Sequence, residues 1–190
     1  MKAAPNVFFV EGEGSDSNTV IVLGEEPFIV DTGTGLSPQR LAHALAQAKL
    51  PEPQAIVNTH CHFDHVGGNH LFHAQVWAGE PDAKHIADAD AYCAAKLFGC
   101  KLEKQRVEPL GKEFRGWRVI ETPGHTPGSV CLLKDGVLIS GDTLFAEGHG
   151  RTDLLGGDEA AMERSLAKII KLEYSTLLPG HGPPLSRGQA

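Results

Sequence analysis

Short apolar runs separated by acidic and glycine-rich turns open the chain. Val7 to Val10, Asn18 to Leu23 and Pro27 to Asp31 are rich in Val, Ile and Phe, side chains that suit a pleated, half-buried surface, and they predict a meander of strands. The period then changes. Ser37-Pro38 reads as a helix cap followed by a first helical residue that needs no N–H, and Leu41, Ala44, Leu45 and Ala48 share one face behind it. Ala55-Ile56-Val57-Asn58 predicts a buried strand, the Gly67-Gly68 turn a short helix through Leu71 and Phe72, and Gln75 to Ala78 a further strand. From Ala83 to about Leu97 the pattern is helical, with Ile86, Ala89, Ala94 and Leu97 as its apolar support. Strands return at Trp117 to Glu121, Val130 to Leu133 and Val137 to Ser140, the last two joined by a hairpin turn at Lys134-Asp135-Gly136. Asp158 is placed to cap a helix lined by Met162, Leu166, Ile169 and Ile170, and Thr176 to Leu178 predicts a last strand.

The order strands, helix, strand, helix thus recurs loosely, without a repeat at the residue level or a linker that divides the chain. A length of 190 residues suits one domain over 1–190 and is short for two. The net charge of -7 leaves no broad basic surface to neutralise a phosphate backbone, so nucleic acid is not an expected partner. Val7 to Val10 is the only apolar run near the start, too short for a signal-peptide core or a membrane span. The reading is a cytoplasmic protein with a small-molecule substrate and no membrane partner. Cys61, Cys93, Cys100 and Cys131 contain no C-x-x-C pair, which argues against a disulfide framework and a structural zinc finger.

Candidate chemistry concentrates in Thr59-His60-Cys61-His62-Phe63-Asp64-His65-Val66-Gly67-Gly68, where three imidazoles and a carboxylate fall within six residues. These are the ligands a divalent transition metal prefers. In an extended segment alternate side chains share a side, so His60, His62 and Asp64 would project together, with His65 a fourth group as the chain turns and Cys61 aimed away. Three later segments end predicted strands with one ligand-type residue each in a tight turn. They are Thr122-Pro123-Gly124-His125-Thr126-Pro127-Gly128-Ser129, Ser140-Gly141-Asp142-Thr143 and Pro179-Gly180-His181-Gly182.

Taken in order, these four segments resemble the motif set of the metallo-β-lactamase superfamily, over most of the chain from Asp31-Thr32-Gly33 to His181. The resemblance implies an α/β fold, an αββα sandwich of two mixed sheets flanked by helices with a dinuclear metal site at one edge. It also implies His60, His62 and His125 on the first metal, Asp64, His65 and His181 on the second, and Asp142 bridging both. Two divalent ions, zinc first with iron or manganese as alternatives, roughly 3.5–4 Å apart can share one hydroxide and polarise the bond it attacks. A carboxylate between two dications offsets their repulsion. Asp64 would have a second oxygen free to orient the nucleophile or move a proton. Metal-bound histidines commonly donate their other N–H to a carboxylate, for which Asp31 is placed at a strand end, with Thr59 beside the first ligand.

Within that superfamily, β-lactam-opening members typically carry a cysteine where this chain has Asp142, and flavodiiron members a glutamate in place of His62. Gly141-Asp142-Thr143-Leu144-Phe145, then Gly148-His149-Gly150-Arg151-Thr152-Asp153, then Gly156-Gly157-Asp158, resembles the compact glyoxalase II-like hydrolases, which cleave thioesters of the hydroxyacylglutathione type. Full-length glyoxalase II adds a helical carboxyl-terminal domain that helps bind glutathione, and this chain ends soon after His181, which leaves the thiol carrier open. Arg151 and Asp153 read as an ion pair bracing the loop, and Lys101, Lys104 and Arg106 as a solvated basic loop. His43, His70, His73, His85 and His149 are not expected as ligands, although His149 stands near the metal loop. The rival enzyme is a persulfide dioxygenase with one iron on His60, His125 and Asp142, which shares Gly-Arg-Thr-Asp; a lactonase is a further alternative. A non-catalytic interaction domain would be expected to lose ligands, and all seven are present.

Overall fold

The computed structural model describes residues 1–50 and 52–186. Strands β1 (Lys2–Ala4), β2 (Val7–Val10), β3 (Thr19–Val22) and β4 (Phe28–Val30) form the antiparallel part of one sheet. Helix α1 (Pro38–Gln47) leads into β5 (Ala55–Asn58), which pairs with β4 in parallel. After β5 come helix α2 (Phe63–Val66), a 3-10 turn at Gly67–Leu71, β6 (Gln75–Ala78), α3 (Glu80–Asp88) and, past two further 3-10 turns, β7 (Val107–Pro109). Strands β1 to β7 thus make a seven-stranded sheet in sequence order, parallel from β4 onward. The second sheet holds β8 (Glu113–Phe114), β9 (Trp117–Glu121), β10 (Val130–Lys134) and β11 (Val137–Gly141), then, after α4 (Glu159–Ile169), β12 (Thr176–Pro179) and β13 (Leu185–Ser186). Within it only β11 and β12 run parallel.

Strand alternation builds the layers. Val20, Val22 and Val30 face inward and pack with Trp117, Leu132, Val137 and Ile139 of the other sheet, while the intervening Ile21 and Ile29 face outward onto Leu41 and Leu45 of α1. On the far side Leu138 and Cys131 turn outward to meet Ile169 of α4. The result is the expected αββα sandwich. Its parallel strands aim their carboxyl ends at one edge, where such sheets gather ligands.

Several local expectations need correction. The helix expected over 83–97 stops at Asp88. Ala89 takes a left-handed backbone with φ 53°, its N–H bonding back to His85 and Ile86 carbonyls. The side chain of Asp90 then accepts from Tyr92 N at 2.9 Å and pairs with the His85 ring at 2.8 Å, local bonds that compete with helix continuation. Ser37 makes no side-chain cap bond, so α1 starts on Pro38 alone, whose missing N–H removes one unpaired donor. The helix placed at Leu71 and Phe72 is instead the turn Gly67–Leu71, with Phe72 extended behind it. In the metal motif, extended geometry ends at His62, and Asp64 and His65 project from the single helical turn of α2 rather than from a strand. Asp158 does cap α4, accepting from Ala161 N at 2.9 Å.

Candidate metal centre

Five strand ends deliver the site. Asp31 follows β4, Thr59 and His60 follow β5, His125 lies in the turn after β9, Asp142 follows β11 and His181 follows β12. The seven side chains named from the sequence come together there, in overlapping groups: His60 with His62 and His125, Asp64 with His65 and His181, and His60 with His65 and Asp142. Ligand-type atoms within each group lie within 4.8 Å of one another. Asp142 stands between the first two. Its Oδ1 is 3.4 Å from His65 Nε2 and its Oδ2 is 3.4 Å from His125 Nε2 and 3.7 Å from His181 Nε2. Asp64 Oδ2 lies 3.1 Å from His181 Nε2 and 3.9 Å from His65 Nε2.

Hydrogen bonds behind the cluster orient its rings. Asp31 Oδ1 accepts from Thr59 N at 2.8 Å, and its Oδ2 accepts from Thr59 Oγ1 at 2.7 Å and from His65 Nδ1 at 2.8 Å. Because Thr59 Oγ1 gives its proton to Asp31, it can only accept from His60 Nδ1, 3.1 Å away, which leaves the His60 Nε2 lone pair free. The Arg151 carbonyl is an acceptor only, so His125 Nδ1 must donate to it at 2.6 Å, freeing Nε2 in the same way. Asp31 has φ 57°, an unfavourable backbone for a residue with a Cβ, held by its bond from N to the Val57 carbonyl at 3.0 Å and by these partners.

The donor set suits a divalent metal on the structure's own terms. His60 Nε2 and Asp142 Oδ1 are buried without a hydrogen-bond partner among the described residues, and His62 Nδ1 lies 2.8 Å from His125 Nε2, a contact that demands a proton or a cation. Burial, reinforced by the neighbouring histidines, drives His60 well below the ordinary histidine range, and burial with His125 brings His62 down to about 3. Both rings are therefore neutral lone-pair donors at pH 7. Burial alone would raise Asp142, but His65, His125 and His181 outweigh it and hold the carboxylate well below its usual range. Asp64 follows the same logic, burial being outweighed by His65 and His181.

Gly180 makes room for this arrangement. A Cβ there would stand 2.1 Å from Asp142 Oδ1 and 2.8 Å from His65 Cε1. Asp82 was not singled out by sequence. It is fully buried and accepts from Cys61 N at 2.8 Å, Thr126 Oγ1 at 2.6 Å and Gly128 N at 2.7 Å, so one carboxylate ties the loop of His60 and His62 to that of His125. As the residue after Pro81 in the first turn of α3, it reads in sequence as an ordinary helix-start acid. Arg151 and Asp153 form the anticipated pair, at 2.6 and 2.7 Å, with both side chains exposed. His149 is exposed, with Nδ1 on the Gly150 carbonyl at 2.9 Å, and is not among the grouped residues. Cys61 points away from the cluster, its thiol 3.5 Å from the Tyr92 carbonyl. The site lies in an open cleft of about 390 Å³ bordered by Phe98, Phe145, Arg151 and Leu154.

Comparison with known proteins follows this geometry. A model of the metallo-beta-lactamase superfamily matches residues 12–181. A probable metallo-hydrolase of Methanocaldococcus jannaschii is 32% identical over 187 residues, covering 91% of each chain. A protein solved in a di-iron-bound form superimposes with a TM-score of 0.81 at 33% identity, over 95% of this chain and 94% of the other. The hydroxyacylglutathione hydrolase of Maricaulis maris is 37% identical over 123 residues, which is 64% of this chain and 44% of that enzyme.

Proposed function

The chain is a metal-dependent hydrolase of the metallo-β-lactamase superfamily, and from that premise we propose that it is a dinuclear enzyme cleaving thioesters of the hydroxyacylglutathione type. The position of Asp142 carries the dinuclear reading. One carboxylate with its two oxygens at 3.4 Å from His65 and from His125 stands between two separate sets of ligand atoms. His60, His62 and His125 would hold one ion and Asp64, His65 and His181 the other, with Asp142 shared. Two divalent ions supply Lewis acidity and an ionised water at neutral pH.

The protein's own groups do the rest. Asp64 turns Oδ2 to His181 and His65, which leaves Oδ1 to orient the attacking water and take its proton. Asp31 and Thr59 fix the rings of His65 and His60 from behind, so that Nε2 of each is held in the ligand cluster, and His65 would release its Nε2 proton when an ion binds. In the overall reaction the water oxygen bonds to the acyl carbon, the C–S bond breaks with its electron pair on sulfur, and an acid and a thiol result. A thiolate leaves readily, so no strong general acid is required. The partial similarity to the Maricaulis maris hydrolase supports the thioester class and leaves the thiol carrier free.

Elemental analysis of the purified protein, combined with assays on acyl-thioesters, a lactone, a β-lactam and a persulfide, tests this reading. The expected result is about two metal ions per chain and thioester turnover that falls at least a thousandfold in Asp142→Ala. One iron per chain with oxygen uptake on persulfide would replace it by the dioxygenase.

A further inference from the structure

A second cavity adjoins the metal cleft. It has a volume of about 540 Å³, and His62, Ala94, Leu97 and Leu154 border both spaces, so the two adjoin at the first histidine group. Beyond that shared wall it is lined by Ala91, Ala95, Leu102 and Leu155, with Lys96, Lys101 and Asp90 among its polar members. Asp64, Asp142, Phe145, Arg151 and His181 border the cleft but not this cavity.

Its walls are built in advance. Tyr92 stacks on His85 with ring centroids 3.9 Å apart and planes at 7°, and Ala94 holds a left-handed turn at φ 54° between two 3-10 turns. Two large apolar side chains at the cavity nevertheless face solvent, Leu97 at 68% and Leu155 at 54% exposure. An apolar chamber adjoining a reaction centre, with uncovered leucines at its border, fits an apolar arm of the substrate.

We propose that this cavity receives the acyl arm, and that among such thioesters the enzyme prefers those with an extended apolar acyl chain over those with a short one. The proposal rests on the thioester reading above. The acyl arm is assigned here because the cavity meets the cleft at His62 and is lined mainly by apolar side chains, whereas Asp64, Asp142, Arg151 and His181 border the cleft alone and suit a polar thiol carrier.

The test is a series on one thiol carrier, acetyl, butanoyl, hexanoyl and octanoyl, with kcat/KM measured for the metal-loaded enzyme. Each added methylene is expected to raise kcat/KM about fourfold, the fold-change that about 0.8 kcal/mol of burial corresponds to, until the cavity is filled. Leu97→Asp and Leu155→Asp, at exposed positions where folding is not at stake, should each reduce the octanoyl-to-acetyl ratio at least tenfold. Ala95→Trp, which fills the cavity, should do the same without adding charge. A ratio near one in the native enzyme, or a ratio untouched by all three variants, overturns the assignment while leaving the thioesterase standing. A rise with the apolar size of the thiol at constant acyl group overturns it too. Absence of turnover with every thioester removes the reading beneath it.

Discussion

His62 and His65 titrate in opposite directions although only two residues separate them. Burial brings His62 down to about 3, whereas for His65 the cost of burial is outweighed by Asp142, Asp31 and Asp64, which raise it well above the ordinary histidine value. Between about pH 3 and 6.5 the unfolded chain therefore binds more protons than the fold at His62, and stability is lost as pH falls through that window. At His65 the sign reverses. Its contribution is present below about pH 6.5 and lost as pH rises through the folded value. Metal-stripped protein should accordingly show a melting temperature that peaks near pH 6.5 and falls on both sides, with a difference of a few kcal/mol between about pH 6.5 and pH 3. A flat profile over that acid range in a thermal titration would mean that the His60 and His62 rings are solvated. Gly180→Ala gives a second check at this scale, since its methyl group would occupy the space of Asp142 Oδ1. The expected outcome is a folded protein by circular dichroism with metal content lowered by about one ion per chain and hydrolysis reduced at least a hundredfold. The seven grouped residues were legible in sequence because each stands in a Gly- or Pro-marked turn or in the dense histidine motif. Asp82 was not, because its role lies in what it touches, namely backbone N–H groups of residues 21 and 46 positions away.

Helix α3 is nine residues long, and its main service to the site is that single carboxylate. Asp82 accepts three hydrogen bonds from two loops, and losing it would strand the N–H groups of Cys61 and Gly128 in a buried place. Each unsatisfied donor costs about 1–3 kcal/mol, so Asp82→Ala should lower the melting temperature by about 5–15 °C and weaken metal binding. Asp82→Asn should fall between, because an amide can serve some of these donors but presents its own N–H₂ to another. If Asp82→Ala melts with the native protein, the two loops hold themselves in place without it. The same neighbourhood explains why the element pattern was only partly legible. Apolar runs such as Val20-Ile21-Val22 formed strands as read, and α4 took its Asp158 cap, although Ile170, expected on its apolar side, follows the helix end and is 66% exposed. The segment after Asp88 carried helical spacing, yet its apolar groups face a cavity instead of a helix contact, and Asp90 spends its carboxylate on closing a turn. Edge strands of two or three residues, β1, β8 and β13, are too short to leave a periodic signal.

Each candidate metal group draws two side chains from the half of the molecule that builds the first sheet and one from the half that builds the second. His60 and His62 meet His125, and Asp64 and His65 meet His181. No short-range pattern could reveal that division, since it follows from packing two sheets whose strands are far apart in sequence. It has a thermodynamic consequence. An ion bound only by the native arrangement stabilises it by RT ln(1 + [L]/Kd), about 2.7 kcal/mol for each ion held at a free concentration of 100 Kd. Two such ions contribute about 5 kcal/mol, and for a chain of this size that corresponds to about 10–20 °C in melting temperature. Exhaustive chelation should therefore lower the melting temperature by about that amount, and titration of zinc, iron or manganese into the stripped protein should restore it. His181→Ala, which removes one member of the second group and whose side chain is 36% exposed, should retain about half of the metal-dependent shift and one ion per chain. Two ions bound with no change in melting temperature would place them on groups that already exist in the unfolded chain, and the cluster would then contribute nothing to holding the two sheets together.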